Sequence, residues 1–231
     1  MNGDGPVSDD GKTQAFRLRL SELKRSGCGF LVTGAVSDSV LDQSCRRAFG
    51  DDSHAPRHRL LVATDRSRDA VSRCLPVPTD EGSTTTVIDH TALSRSVTAD
   101  AQSFQQPGPT EIRIDRPQLG GVGQEIVETV AEFESYDHLP AGAVRVCIGS
   151  LAPLLDEYDD EQVFRFLHLV LSVVRRANGM LHVYLPKSTT HETVRLLEPI
   201  FDAVIELRTE RGFVEQRWSL RDGPETGWFQ L

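Results

Sequence analysis

The residues best placed to do chemistry are Thr33-Gly34-Ala35-Val36-Ser37-Asp38-Ser39-Val40-Leu41, at the end of the first apolar run of the chain. In doubly wound sheets the ligand crevice opens at the C-terminal ends of strands. A phosphate loop there needs Gly-x4-Gly-Lys-Ser/Thr. The glycines let backbone N–H groups curl around the phosphates, the lysine neutralises them and the hydroxyl holds magnesium. Counted from Gly34, Ser39 stands in place of the second glycine, Val40 in place of the lysine and Leu41 in place of the hydroxyl. Asp38 adds negative charge where phosphates would lie. The apolar run Val144–Ile148 is followed by Gly149-Ser150, where such folds carry an acidic residue to handle magnesium and the attacking water. Strand, loop and helix are all foreseen, but their chemistry is missing. The reading is therefore no catalytic residue, no cofactor and no metal. Gly34, Ser39, Val40, Leu41 and Gly149 are vestigial positions.

Other constellations have simpler explanations. His54-x3-His58 beside Asp51 and Asp52 is expected to be a solvated loop, since no further ligands stand at a fixed distance. His168 falls on the polar stripe of its helix. Glu157, Asp159, Asp160 and Glu161 precede that helix and suit its positive end. Ser37, Asp38 and Ser39 form an N-cap cluster. Gly120-Gly-Val-Gly123 follows no strand of the required kind and lacks lysine, so its glycines serve backbone conformation. No Ser/His/Asp or Cys/His arrangement assembles from spacing.

The elements that must position these residues alternate. Phe16–Ser26 is a short amphipathic helix. Apolar strands are predicted at Cys28–Gly34, Arg59–Thr64, Thr85–Asp89, Val144–Ile148, Met180–Leu185 and Ala203–Leu207. Helices are predicted from about Asp38, over Ser67–Cys74, from Leu119 through Phe133, over Gln162–Ala177 and after a Ser188 cap. Residues 91–110 are polar and irregular. The tail alternates on either side of Asp222-Gly223 and predicts an antiparallel hairpin. The fold class is α/β: one domain over residues 15–231 behind a disordered leader 1–14, with a mostly parallel sheet covered by helices on both faces.

The 231 residues carry a formal charge of −9, and only Lys12, Lys24 and Lys187 are lysines. An acidic chain argues against broad phosphate-backbone binding, hence against nucleic acid. It also suggests a salt-rich cytoplasm, where repulsion between carboxylates is screened. No window approaches ~18 consecutive apolar residues, so no membrane span is expected. Cys28, Cys45, Cys74 and Cys147 lack CxxC spacing and read as buried thiols of a reducing cytoplasm.

Three segments carry a resemblance to a known group. They are Val144–Leu155, Gln162–His168 and Ile200–Arg208, together with Arg116-Pro-Gln-Leu-Gly-Gly-Val-Gly123. These resemble the RecA/KaiC-like superfamily and, within it, small haloarchaeal HTR-like (halobacterial-transducer-like) proteins of unknown function. The resemblance implies a RecA-like fold without a working ATP site, acting in signalling or regulation. Relatives often carry Asp where this chain has Gly149. The functional expectation is a non-enzymatic interaction module with a protein partner, and a homo-oligomer is compatible with it. Its contact surface would be the rim at Asp38, Ser39, Ser150, Lys187 and Ser188, with the hairpin tryptophans Trp218 and Trp228 as the alternative surface. The rival expectation is an ATPase with an atypical loop that recruits Lys187 or a neighbouring subunit's arginine.

Overall fold

Runs of residues buried on both sides build the centre of the sheet. Strands β1 (Cys28–Thr33), β2 (His58–Ala63) and β6 (Met180–Leu185) are buried at every position. With no solvent face, they read as continuous apolar segments rather than as an alternation. They are joined by β3 (Thr84–Asp89), β4 (Thr110–Arg113), β5 (Val144–Ile148), β7 (Ala203–Glu210), β8 (Phe213–Leu220) and β9 (Phe229–Gln230). The structure is a computed structural model and describes residues 9–53, 55–64, 68–76, 82–90, 110–113, 118–136 and 139–231.

The sheet has nine strands in the order β4-β3-β2-β5-β6-β1-β7-β8-β9. From β4 through β7 every neighbouring pair is parallel. The β7–β8 and β8–β9 pairs are antiparallel. Helices cover both faces. Helices α1 (Asp9–Ser26), α2 (Asp38–Phe49) and α3 (Arg68–Cys74) lie on one face. Helices α4 (Leu119–Glu134), α5 (Ala152–Glu157), α6 (Asp160–Arg176) and α7 (Glu192–Leu197) lie on the other. The α/β class, the parallel sheet and the C-terminal antiparallel strands agree with the sequence reading.

The differences are local. Helix α1 starts at Asp9, inside the stretch assigned to a leader; residues 1–8 lie outside the described residues. Strand β4 arises at Thr110, and the rest of the polar stretch, 91–109, also lies outside them. Gly120, Gly121 and Gly123 lie in the first turns of α4, inside the helix expected from Leu119. A Cβ at Gly123 would stand 3.2 Å from Leu169 of α6, so that glycine is needed for close helix packing rather than for a special turn. Ser188 is not the cap of α7. His191 is, and its Nδ1 accepts the Thr193 N–H at 3.2 Å, while Ser188 accepts from Thr190 in the preceding turn. The acidic run before α6 does what its charge suggests: Asp159 and Gln162 form a reciprocal capping box.

Candidate functional site

The place where a parallel sheet can take a ligand is set by where its helices go. Strands β1 and β6 are neighbours. The helix after β1 buries Val40, Leu41, Cys45 and Phe49 on one face, and the helix after β6 buries Val194 and Leu197 on the other. The loops after these strands therefore part in opposite directions, which defines the switch-point crevice. Gly34 and Lys187 meet there.

The crevice is closed by backbone hydrogen bonds. The Gly34 N–H, the first that a phosphate would use, donates to the Lys187 carbonyl at 2.9 Å. Gly34 sits at φ +123, and a Cβ there would collide with the Leu207 carbonyl oxygen of β7. Ser37 is the N-cap of α2, but its side chain accepts no helix N–H and pairs with Ser39 Oγ at 3.0 Å. Asp38 and Ser39 are exposed in the first turn, while Val40 and Leu41 point into the core. The two positions that would carry lysine and hydroxyl chemistry thus serve packing. Thr33, at the end of β1, keeps a buried hydroxyl without a partner among the described residues.

The end of β5 is closed in the same way. The Gly149 N–H donates to the Val62 carbonyl at 2.9 Å. Thr64 Oγ1 accepts the Ser150 N–H at 3.0 Å and donates to the Ser150 carbonyl at 2.6 Å. The Leu151 N–H donates to the Tyr184 carbonyl at 2.7 Å. Ser150 is consequently buried, not a surface residue of the rim. Asp38, Ser39 and Ser188 are exposed and Lys187 is half-buried. The rim offered to another molecule is therefore the pair of loops after β1 and β6.

The remaining candidates separate. His58 is not in a solvated loop. It opens β2, is buried, bonds Thr84 Oγ1 through Nδ1 at 2.8 Å and stacks on Tyr136. Burial, with Arg59 adjoining, lowers its pKa. Asp52, expected in the same loop, is buried in an ion pair with Arg59 at 2.5 Å. His54 lies outside the described residues. Among the described residues no group of His, Cys, Asp and Glu gathers as a metal site, and no helix is long and apolar enough to cross a membrane. His168 is exposed and packs on Phe164. All four cysteines are free and buried. Trp218 packs edge-on against Phe16 and Phe30, and Trp228 lies under the guanidinium groups of Arg208 and Arg217. Both indoles are half-buried.

Sequence reasoning missed a second polar assembly, formed by Lys24, Arg47, Arg145 and His182 around one cavity. These residues lie on four different elements, and each alone is unremarkable. Only His182, a histidine inside a strand otherwise apolar, carried a signal.

Taken together, this is a mostly parallel α/β domain whose switch-point loops are tied to each other by the Gly34–Lys187 backbone hydrogen bond. Residues 27–207, more than half of the chain, match the model of a family of unknown function, DUF7504, and the chain belongs to that family. No curated protein matches it.

Proposed function

We propose that the chain is a non-enzymatic RecA/KaiC-like module of a haloarchaeal, HTR-like type, cytoplasmic and regulatory, that works by binding a protein partner on the rim of Asp38, Ser39, Lys187 and Ser188. One observation carries this reading. The Gly34 N–H is spent on the Lys187 carbonyl, and the side chains after it, Val40 and Leu41, are core residues. A loop whose first N–H is already used, and which carries an aspartate and no lysine at the phosphate positions, disfavours a triphosphate, whereas its exposed polar turn can meet another surface. The test is calorimetry with Mg–ATP, followed by partner capture with the full chain carrying Asp38→Arg and Ser188→Arg. The reading expects no ATP heat and loss of the captured partner in the variants. Micromolar, magnesium-dependent ATP binding would overturn it.

A second reading draws on the position of Lys187. Its carbonyl bonds Gly34, so its ammonium group starts from the loop beside the vestigial phosphate position. That favours an atypical nucleotide site, and Lys187→Ala would then abolish ATP binding.

A further inference from the structure

Toward the N-terminal ends of the central strands, on the face of α1 and α2, lies a cavity of about 210 Å3. Lys24 comes from the end of α1, Ser44 and Arg47 from α2, Arg145 from β5 and His182 from β6; Trp218 of β8 lines the apolar side. No carboxylate side chain lines it. In a chain of net charge −9, three cations converge on a space from which acidic side chains are absent.

None of the three cations is neutralised there. Arg145 spends its Nε on the Gly142 carbonyl at 2.6 Å and an Nη on the Met180 sulfur, neither of them charged. The side chains of Lys24 and Arg47 have no hydrogen bond or ion pair among the described residues. Burial and the Arg57 charge push Arg145 down to about 10, and partial burial and Arg145 lower Lys24. Arg145 remains cationic at neutral pH. His182 is buried against Phe30, and its Nδ1 has no partner among the described residues. Burial holds the ring neutral, with its pKa pushed down to about 3, so one ring nitrogen carries a proton to donate. Lys24 and Arg47 are exposed and Arg145 is half-buried, so water reaches these cations, whereas His182 is buried and buried polar groups are normally satisfied. One small anion would bridge the three cations and accept from the His182 ring.

We propose that this cavity is a binding site for a compact divalent oxyanion, held by Lys24, Arg47 and Arg145 with His182 as a neutral donor. Its volume lies below the ~300–1,000 Å3 of sites for drug-sized ligands, and a phosphate or a small dicarboxylate fits it. The site lies at the opposite end of the strands from Gly34 and stands or falls independently of the rim.

The experiment uses the full chain with Trp228→Phe, so that Trp218 alone reports. Sodium phosphate and sodium succinate are each titrated against chloride at constant ionic strength, with emission and thermal midpoint recorded. A saturable change with a raised midpoint is expected. Saturation by phosphate alone assigns a phosphoryl ligand, and saturation by succinate alone a dicarboxylate. The double variant Lys24→Ala/Arg47→Ala removes two unpartnered side chains and keeps the fold; it should weaken binding at least tenfold. Arg145→Met should abolish binding, and if it does not fold, the double variant decides. No saturation with either anion, or equal affinity in the double variant, overturns the proposal.

Discussion

The two ends of the central strands differ in what they leave unpaired. At the C-terminal end the Gly34, Gly149, Ser150 and Leu151 N–H groups are all consumed by neighbouring loops and strands. At the N-terminal end three cations and a histidine nitrogen face a cavity lined by no Asp or Glu side chain. Topology marks the first end as the place where a ligand can sit. Converging positive charge and the unpaired buried nitrogen of His182 mark the second as a place where an anion would gain contacts. In this chain the two criteria point to opposite ends of the same strands.

The largest expected effect tests whether the first end is truly shut. Gly34→Ala adds a Cβ against the Leu207 carbonyl at a φ that side chains avoid. Backbone strain and overpacking together should cost about 4 kcal/mol in urea denaturation. Gly50→Ala, at φ +67 with open space around it, should cost only about 1 kcal/mol. A small loss at Gly34 would mean that the loop can move aside and reopen for phosphate. Next in size is Thr64→Val, which deletes both hydrogen bonds to Ser150. About 2 kcal/mol should be lost, with the anion response at Trp218 unchanged. A changed response would tie the two ends together and break the contrast.

What was legible in the sequence follows from the length scale of each signal. Strands buried on both faces announce themselves as apolar runs, so Val144–Ile148 and Met180–Leu185 could be bounded to the residue. The vestigial loop could be read because phosphate chemistry demands fixed spacing. The helix over Gly120–Gly123 was legible in the Leu119–Phe133 periodicity, but the role of Gly123 was not, because it comes from Leu169 on a distant helix. Nor was the burial of Asp52, which depends on Arg59 entering the interior from β2 with that carboxylate as its partner. The cavity was least visible of all, since its cations come from residues 24, 47 and 145 and meet only through the sheet order.

The third test uses acid. His182 has its pKa lowered in the folded state, so the unfolded chain binds more protons below the ordinary histidine value. Stability is therefore present above about pH 6.5 and falls as pH drops toward 3. Between pH 7 and pH 5.5 this one group should cost about 1.3 kcal/mol. His58 and His90, also lowered by burial, add with the same sign. Denaturant melts of His182→Asn at the two pH values should show a correspondingly smaller loss than wild type. Equal losses would mean that His182 is protonated in the folded chain, and the cavity would then be solvated rather than starved of partners.

The smallest expected effect is the one that separates a paired cation from an unpaired one. Arg208 bonds Glu215 at 2.7 Å and lies 4.0 Å over the Trp228 ring, so Arg208→Ala should lose about 1 kcal/mol. Arg47→Ala removes a cation with no such partner. It gives up a favourable position in the last turn of α2 and frees an exposed, rotamer-rich side chain from any ordering at the cavity. The two contributions oppose, and the net change should stay within about 0.5 kcal/mol in chloride buffer. In phosphate at concentrations that saturate the wild type, the same substitution should become costly. A tenfold loss of anion affinity corresponds to about 1.4 kcal/mol of lost ligand stabilisation. Arg208→Ala should cost the same in both buffers, because its partners belong to the chain. If Arg47→Ala costs as much in chloride as in phosphate, Arg47 is a structural residue and the N-terminal end of the sheet is as self-sufficient as the C-terminal end.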